Sequence, residues 1–204
     1  MHLLDQRILG IAILILLAAL VAVKLKATGS IVEPPKGGLL LQLVNIFNLF
    51  FLLIVNPVAA VLLIARSLAA LDVTRLSLGT PWVFLIIEVV GILLYVKGFA
   101  LMVWALLRLG SNYQLGGSTP RPADKMVTDG PYRFIRHPMY TAALAISSGL
   151  ALFTQSLAFF AVFCIYLVLI LLLIPAEERE LQKAYGAQYV AYRKRSGALI
   201  PFIN

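Results

Sequence analysis

The chain has 204 residues, 61% of them hydrophobic and 13% charged, with a mean hydropathy of +0.95. A soluble domain is nearer to about 45–50% apolar and about 25% charged, so a water-soluble fold of this size is excluded and a bilayer must cover the apolar surface. The single Cys164 excludes an internal disulfide and a multi-cysteine metal site. The net charge of +8 comes from 17 Lys and Arg against 9 Asp and Glu. Basic cytosolic loops account for it, with no nucleic-acid partner required.

Five apolar segments follow in chain order, against a requirement of about 20 residues for a spanning helix. The first, Ile8–Val23, follows Asp5 and Arg7 and ends at Lys24 and Lys26. It lacks a clean small-x-small cleavage pattern, so it reads as a retained span and not a signal peptide. The second is Leu39–Ala65, on which Gln42, Asn45 and Asn56 form a rough polar stripe suited to interhelical hydrogen bonds. The third is Pro81–Leu107, with Thr80 as N-cap and Pro81 at the first helical position. It carries Glu88 and Lys97, which at about 100° per residue point to opposite faces. Intramembrane charges are candidates for function, and Lys97 either lines a substrate cavity or has a structural role.

The fourth and fifth segments, Met139–Phe153 and Leu157–Ile174, are separated only by Thr154, Gln155 and Ser156. That gap permits only a tight turn, so the two form an antiparallel hairpin. Small residues crowd the fourth (Ala142, Ala143, Ala145, Ser147, Ser148, Gly149), which allows close backbone approach inside a bundle.

Two polar regions remain. The loop Gly110–Pro138 carries Gly116-Gly117, Pro120, Pro122 and Asp129-Gly130-Pro131, turn residues that oppose one long helix. The tail Ala176–Asn204 places Leu181, Tyr185, Tyr189 and Tyr192 on a helical stripe. It reads as an amphipathic cytosolic helix continuing from the fifth span across a Pro175 kink, with the tyrosines serving packing or interface anchoring. With the C-terminus inside, only Arg7, Arg66 and Arg75 among the loop cations fall outside, so the polar regions are expected to be cytosolic and the N-terminus external.

Taken alone, Arg136 and His137 read as interfacial loop residues, and Glu177 and Glu178 as acids of a helix. The hairpin, however, brings an imidazole, a tyrosine and a carboxylate pair to one membrane face. In this region the chain resembles the isoprenylcysteine carboxyl methyltransferases and phospholipid methyltransferases. The resemblance rests on Leu109-Gly110-Ser111-Asn112-Tyr113, on Val127 to Gly130-Pro131-Tyr132, and on Arg136-His137-Pro138-Met139-Tyr140. Pro175, Glu177-Glu178, Leu181, Tyr185-Gly186, Tyr189 and Tyr192 complete the pattern, which covers roughly Leu109 to Pro201.

The resemblance implies an S-adenosylmethionine site between loop, hairpin and C-terminal helix. It implies cofactor contacts at Lys125, Val127, Gly130, His137, Pro138, Tyr140, Glu177 and Glu178, and catalytic roles for Glu178, His137 and Arg136. Carboxylates suit a ribose diol or an ammonium, and an aromatic face suits a sulfonium or adenine. One departure stands out: the carboxyl methyltransferases carry Arg four residues before the first Glu, where this chain has Leu173. Leucine cannot clamp a carboxylate bidentately, so an amine, thiol or lipid head group fits better than a prenylcysteine carboxylate.

The expectation is one all-α membrane domain over 1–204. Residues 1–108 hold three spans, and 109–204 hold the cofactor loop, the hairpin and the cytosolic helix. The cofactor enters from the cytosol and a lipophilic acceptor from the bilayer. Alternatives are an NADPH-dependent reductase related to the sterol reductases, and a non-enzymatic membrane protein.

Overall fold

The computed structural model describes residues 4–29, 38–76, 80–112, 124–201 and 203. Tyr113, Gly116, Gly117, Pro120 and Pro122 of the expected loop, and Lys36 and Arg121 among the expected cytosolic cations, lie outside the described residues. Within them the fold is all-helical, with β-bridges but no strand.

The helices are α1 (Gln6–Thr28), α2 (Leu39–Phe50), α3 (Asn56–Ile64), the single turn α4 (Leu68–Leu71), α5 (Pro81–Leu109), α6 (Pro138–Thr154), α7 (Leu157–Tyr185) and α8 (Ala187–Arg195). A π-helical segment, Phe51–Val55, joins α2 to α3 into one continuous rod over Leu39–Ile64. Pro57 has no amide hydrogen to give the preceding turn, which fits a widened turn at this place. The Asn56 amide donates to the Phe51 carbonyl at 2.8 Å.

Four helices among the described residues are long and apolar enough to cross a bilayer: α1, the α2–α3 rod, α5 and α7. The 17-residue α6 is shorter and also apolar. Outward side chains such as Ile15, Ile86 and Leu172 are exposed. In lipid, that is the expected outer face of a spanning helix. Neighbours around the bundle run α1, α5, α6, α7 and then the α2–α3 rod, which packs back on α1. This closed ring leaves an interior open to a cavity.

The tightest seam is between α5 and α6. A Cβ on Gly149 would stand 2.6 Å from the Tyr95 amide nitrogen and 2.7 Å from the Gly91 carbonyl oxygen. One on Gly98 would stand 2.9 Å from the Ala142 carbonyl oxygen. The pairing of Gly91 with Gly149 and of Gly98 with Ala142 makes the helices antiparallel. The small-residue face expected for the fourth segment is therefore a backbone-to-backbone contact.

The tight turn is also as expected. Gln155 adopts the left-handed region (φ 57°), and the Ser156 side chain caps α7 by accepting from the Phe159 amide at 3.2 Å. The Leu76 amide donates to the Gln155 carbonyl at 2.9 Å, tying the turn to the segment before α5. The expected stripe on the second span is partly realised. The Tyr95 hydroxyl on α5 donates to Asn56 Oδ1 at 2.7 Å.

One expectation changes, and one pair of readings is decided. The tail helix does continue from the fifth span, since α7 runs through Pro175 to Tyr185, but it is not a single helix: it breaks at Gly186. Its backbone (φ 55°, ψ −130°) is one that glycine alone adopts readily. Of the two readings open for Lys97, the cavity one is not met at the cavity described below: Lys97 lies exposed on α5, while Glu88 is fully buried on the opposite face.

Replacing Gly149 with valine is expected to force the α5–α6 seam apart, lowering stability by about 1–3 kcal/mol or more. Gly38→Ala, where a Cβ meets open space at φ −68°, should change stability little. Thermal unfolding midpoints in detergent will compare the two, and equal midpoints would remove the seam from the argument.

Candidate active site

His137 precedes Pro138, which sits at the first position of α6, and the carboxylates of Glu177 and Glu178 project from the last third of α7. The α6–α7 turn sets these two stretches at the same end of the bundle. Adjacent residues on a helix point about 100° apart, so the two glutamates take different surroundings.

Glu178 turns toward the loop and tail. Its Oε1 accepts from Arg136 Nε at 2.6 Å and stands 3.4 Å from His137 Nε2. Its Oε2 is 3.3 Å from Arg193 Nε. The Arg136 and Glu178 side chains are only 2% and 8% exposed, whereas Arg193 is half exposed. Arg136 is held further by donating to the Arg193 carbonyl at 3.1 Å and to the Ser196 carbonyl. The tail completes the clamp along the backbone. The Arg136 amide donates to the Gly197 carbonyl at 2.8 Å, and the His137 amide to the Ala198 carbonyl at 3.1 Å. The Gly197 amide donates back to the Phe134 carbonyl, and the Thr141 hydroxyl donates to the Leu199 carbonyl at 2.7 Å.

Glu177 turns toward the interior. Its Oε2 is buried and makes no hydrogen bond among the described residues, although His137 Nδ1 stands 3.7 Å away. The Tyr140 ring stacks on His137, with centroids 5.7 Å apart. These groups border a cavity of about 280 Å³ whose wall draws on α1, α2, α5, α6, α7 and α8.

Of the residues expected at the site, Lys125, Val127, Arg136, His137, Pro138, Tyr140 and Glu177 lie on this wall. Gly130 and Glu178 do not. Gly130 (φ 58°) packs against Arg108, which a Cβ there would meet at 2.6 Å, and Glu178 lies behind Arg136. The wall also holds residues that sequence reasoning passed over or read as packing. Tyr185, Tyr189 and Tyr192 line it, and so do Asn45, Asn48, Met102 and Tyr166. The stripe of tyrosines was a visible signal. Its cavity-facing side was not, because helical periodicity does not say what the stripe faces.

Burial pushes the Tyr192 hydroxyl up to about 12 and raises Tyr189 as well. Both therefore stay protonated at neutral pH, and Tyr192 donates to the Tyr132 carbonyl at 2.6 Å.

The family model for phospholipid methyltransferases matches residues 86–188, half of the chain. The chain belongs to the phospholipid methyltransferase family. Within the curated proteins it is 34% identical over 85 residues to protein-S-isoprenylcysteine O-methyltransferase B of Arabidopsis thaliana, covering 39% of this chain and 41% of that protein. It is also 34% identical over 85 residues to the cobalt-zinc-cadmium resistance protein CzcN of Cupriavidus metallidurans, covering 41% and 39%. The matches thus span about two fifths of the length of these relatives. In fold it is similar to the solved eukaryotic intramembrane Ras methyltransferase, an isoprenylcysteine carboxyl methyltransferase. The TM-score is 0.51 at 21% identity, over 80% of this chain and 74% of that one. This member of the phospholipid methyltransferase family therefore shares an all-helical membrane fold with the carboxyl methyltransferases.

The two carboxylate contacts of unequal burial give a graded expectation. Glu178→Ala leaves the Arg136 charge buried without its partner and should cost about 3–5 kcal/mol. Arg193→Ala removes a half-exposed partner and should cost no more than about 1 kcal/mol. Denaturant or thermal unfolding of both variants in one detergent checks the order, and comparable losses would contradict it.

Proposed function

We propose that this chain transfers a methyl group from S-adenosylmethionine to a lipophilic acceptor, at the cytosolic face of its membrane. The observation that carries this reading is one cavity whose wall combines polar groups, among them His137, Tyr140, Glu177 and Tyr185, with apolar ones, among them Leu20, Leu49, Leu52 and Met102. The family match and the relatives named as methyltransferases support methyl transfer over hydride transfer.

The residues present fit the cofactor. Glu177 offers a buried carboxylate oxygen with unused hydrogen-bonding capacity, suited to a hydroxyl pair or an ammonium. Tyr140 offers an aromatic face. When bound, S-adenosylmethionine supplies an electrophilic methyl group on a sulfonium. The chain's own part is to hold two reactants in line and keep water out, since an in-line displacement needs mainly positioning. His137, on the wall and in contact with both glutamates, takes the proton that an amine or thiol acceptor must lose. Arg136 and Glu178 are positioning residues, which fix His137 through their ion pair and through the tail.

The acceptor is an amine, a thiol or a lipid head group, and not a prenylcysteine carboxylate. Leu173 is buried in an apolar cluster with Leu41, Val44 and Ile170, so no guanidinium reaches the site from that position. Arg136 is already engaged by Glu178, and Lys97 is on the outer surface. Lys24 and Lys125 are on the cavity wall, but a single ammonium lacks the planar fork that grips a carboxylate at two points.

Calorimetry on the purified protein tests the cofactor. S-adenosylhomocysteine should bind, and Glu177→Gln should weaken it roughly 10–100-fold. Binding of NADPH in its place would sink the reading. The same preparation, offered phosphatidylethanolamine, long-chain amines and thiols, and a farnesylcysteine analogue, should methylate one of the first three classes. Turnover of the farnesylcysteine carboxylate alone would overturn the acceptor assignment.

Orientation follows from charge. The end of the bundle that carries Asp129, His137 and the tail is cytosolic, and the opposite end, where Arg75 bridges Ser156, is external. In a Cys164→Ala background, an impermeant maleimide on intact cells should label Val73→Cys and spare Asp129→Cys. The reverse pattern would invert the topology.

A further inference from the structure

The α2 side of the cavity wall is a single helix face: Asn45, Asn48, Leu49 and Leu52 recur at i, i+3, i+4 and i+7. The two amides on it differ. Asn48 Oδ1 accepts from the Tyr166 hydroxyl of α7, so that side chain is tied to the neighbouring helix. Asn45 is 5% exposed, and its Nδ2 finds no hydrogen-bond partner among the described residues.

A buried amide donor is almost always satisfied, and one that is not calls for an explanation. The nitrogen is buried, and Val44 beside it is packed in an apolar cluster with Leu41, Ile170 and Leu173. None of the hydrogen bonds of the Arg136–Glu178 clamp or of His137 involves Asn45, so the groups assigned to methyl transfer do not use it.

We propose that Asn45 is the specificity-determining donor of the acceptor subsite. Its amide N–H donates to a carbonyl or hydroxyl oxygen that the lipophilic acceptor carries between its reacting atom and its tail. This rests on the lipophilic-acceptor reading above. It adds that the acceptor is not a plain hydrocarbon amine or thiol, but one with an oxygen placed for this donor. A leucine at 45 would leave the cavity apolar there and indifferent to such an oxygen.

The test compares two thiols by calorimetry on the full-length protein in detergent. One is N-decanoylcysteamine, with an amide carbonyl in its chain, and the other is the plain alkyl thiol of equal length. The wild type should bind the carbonyl thiol roughly 3–10-fold more tightly, the worth of one neutral hydrogen bond. The near-isosteric Asn45→Leu and the smaller Asn45→Val should both lose that preference. Neither should lower the melting temperature, since each removes an unsatisfied donor.

Equal affinity for the two thiols in the wild type overturns the proposal. So does a preference that survives in Asn45→Leu, a failure of both thiols to bind, or a fall in melting temperature in both variants, which would assign the amide to packing. S-adenosylhomocysteine, titrated into the same three proteins, should bind all of them alike. Its failure to bind the wild type, with the thiol preference intact, counts against the methyl-transfer reading and leaves the Asn45 subsite standing.

Discussion

The arrangement of this protein's polar end depends on one buried ion pair, Arg136 with Glu178. A guanidinium and a carboxylate removed from water each carry a large desolvation cost, which mutual contact offsets only when the remaining donors and acceptors are also satisfied. Here Arg136 Nη1 donates to the Arg193 and Ser196 carbonyls, and Glu178 receives Arg193 on its second oxygen. Satisfying one pair therefore requires three segments to converge: the stretch before α6, the end of α7, and α8 with the tail. Gly186 makes that convergence possible, because its backbone lets α8 leave the line of α7. His137, next in the chain to Arg136, is placed as a consequence.

The membrane-embedded half obeys a different constraint. Between helices in lipid, apolar area gives little preference for helix over tail. Specificity comes from shape and from a few hydrogen bonds. The α5–α6 seam uses Gly91, Gly98 and Gly149 for shape, while Tyr95 to Asn56 and Tyr166 to Asn48 supply the bonds. The same economy explains the cavity. A short α6, drawn close to α5 along its glycines, contributes small residues such as Ala143 to the interior wall. Space therefore remains between α2, α5 and α7, where larger side chains would have filled it.

Much of this was legible in the sequence for local reasons. Apolar runs, cap residues and a three-residue gap are properties of neighbouring residues, and bilayer thickness converts them directly into helices and a hairpin. The pairing of Arg136-His137 with Glu177-Glu178 was legible too, because the hairpin forces the two ends together. The division of labour between the glutamates was not. Both are acids on one helix turn, and only the packing of the tail turns Glu178 toward the cations and leaves Glu177 to the cavity. Asn48, Tyr185, Tyr189 and Tyr192 show the same limit. Periodicity identifies a face, and it does not say whether that face meets lipid, another helix or empty space.

The sequence by itself determined that the chain is a membrane helix bundle, where its apolar helices begin to within a turn, and which residues gather at one end. Those follow from hydrophobicity and chain connectivity, which act over a few residues. Only the tertiary structure decided that α7 runs through Pro175 and breaks at Gly186, that Lys97 faces outward, and that the tail returns to hold Arg136. It also decided that Asn45 stands on a cavity wall, its amide nitrogen without a partner among the described residues. These depend on contacts between residues far apart in the chain, whose energies are settled by packing and by the cost of burying polar groups, and no local pattern encodes them.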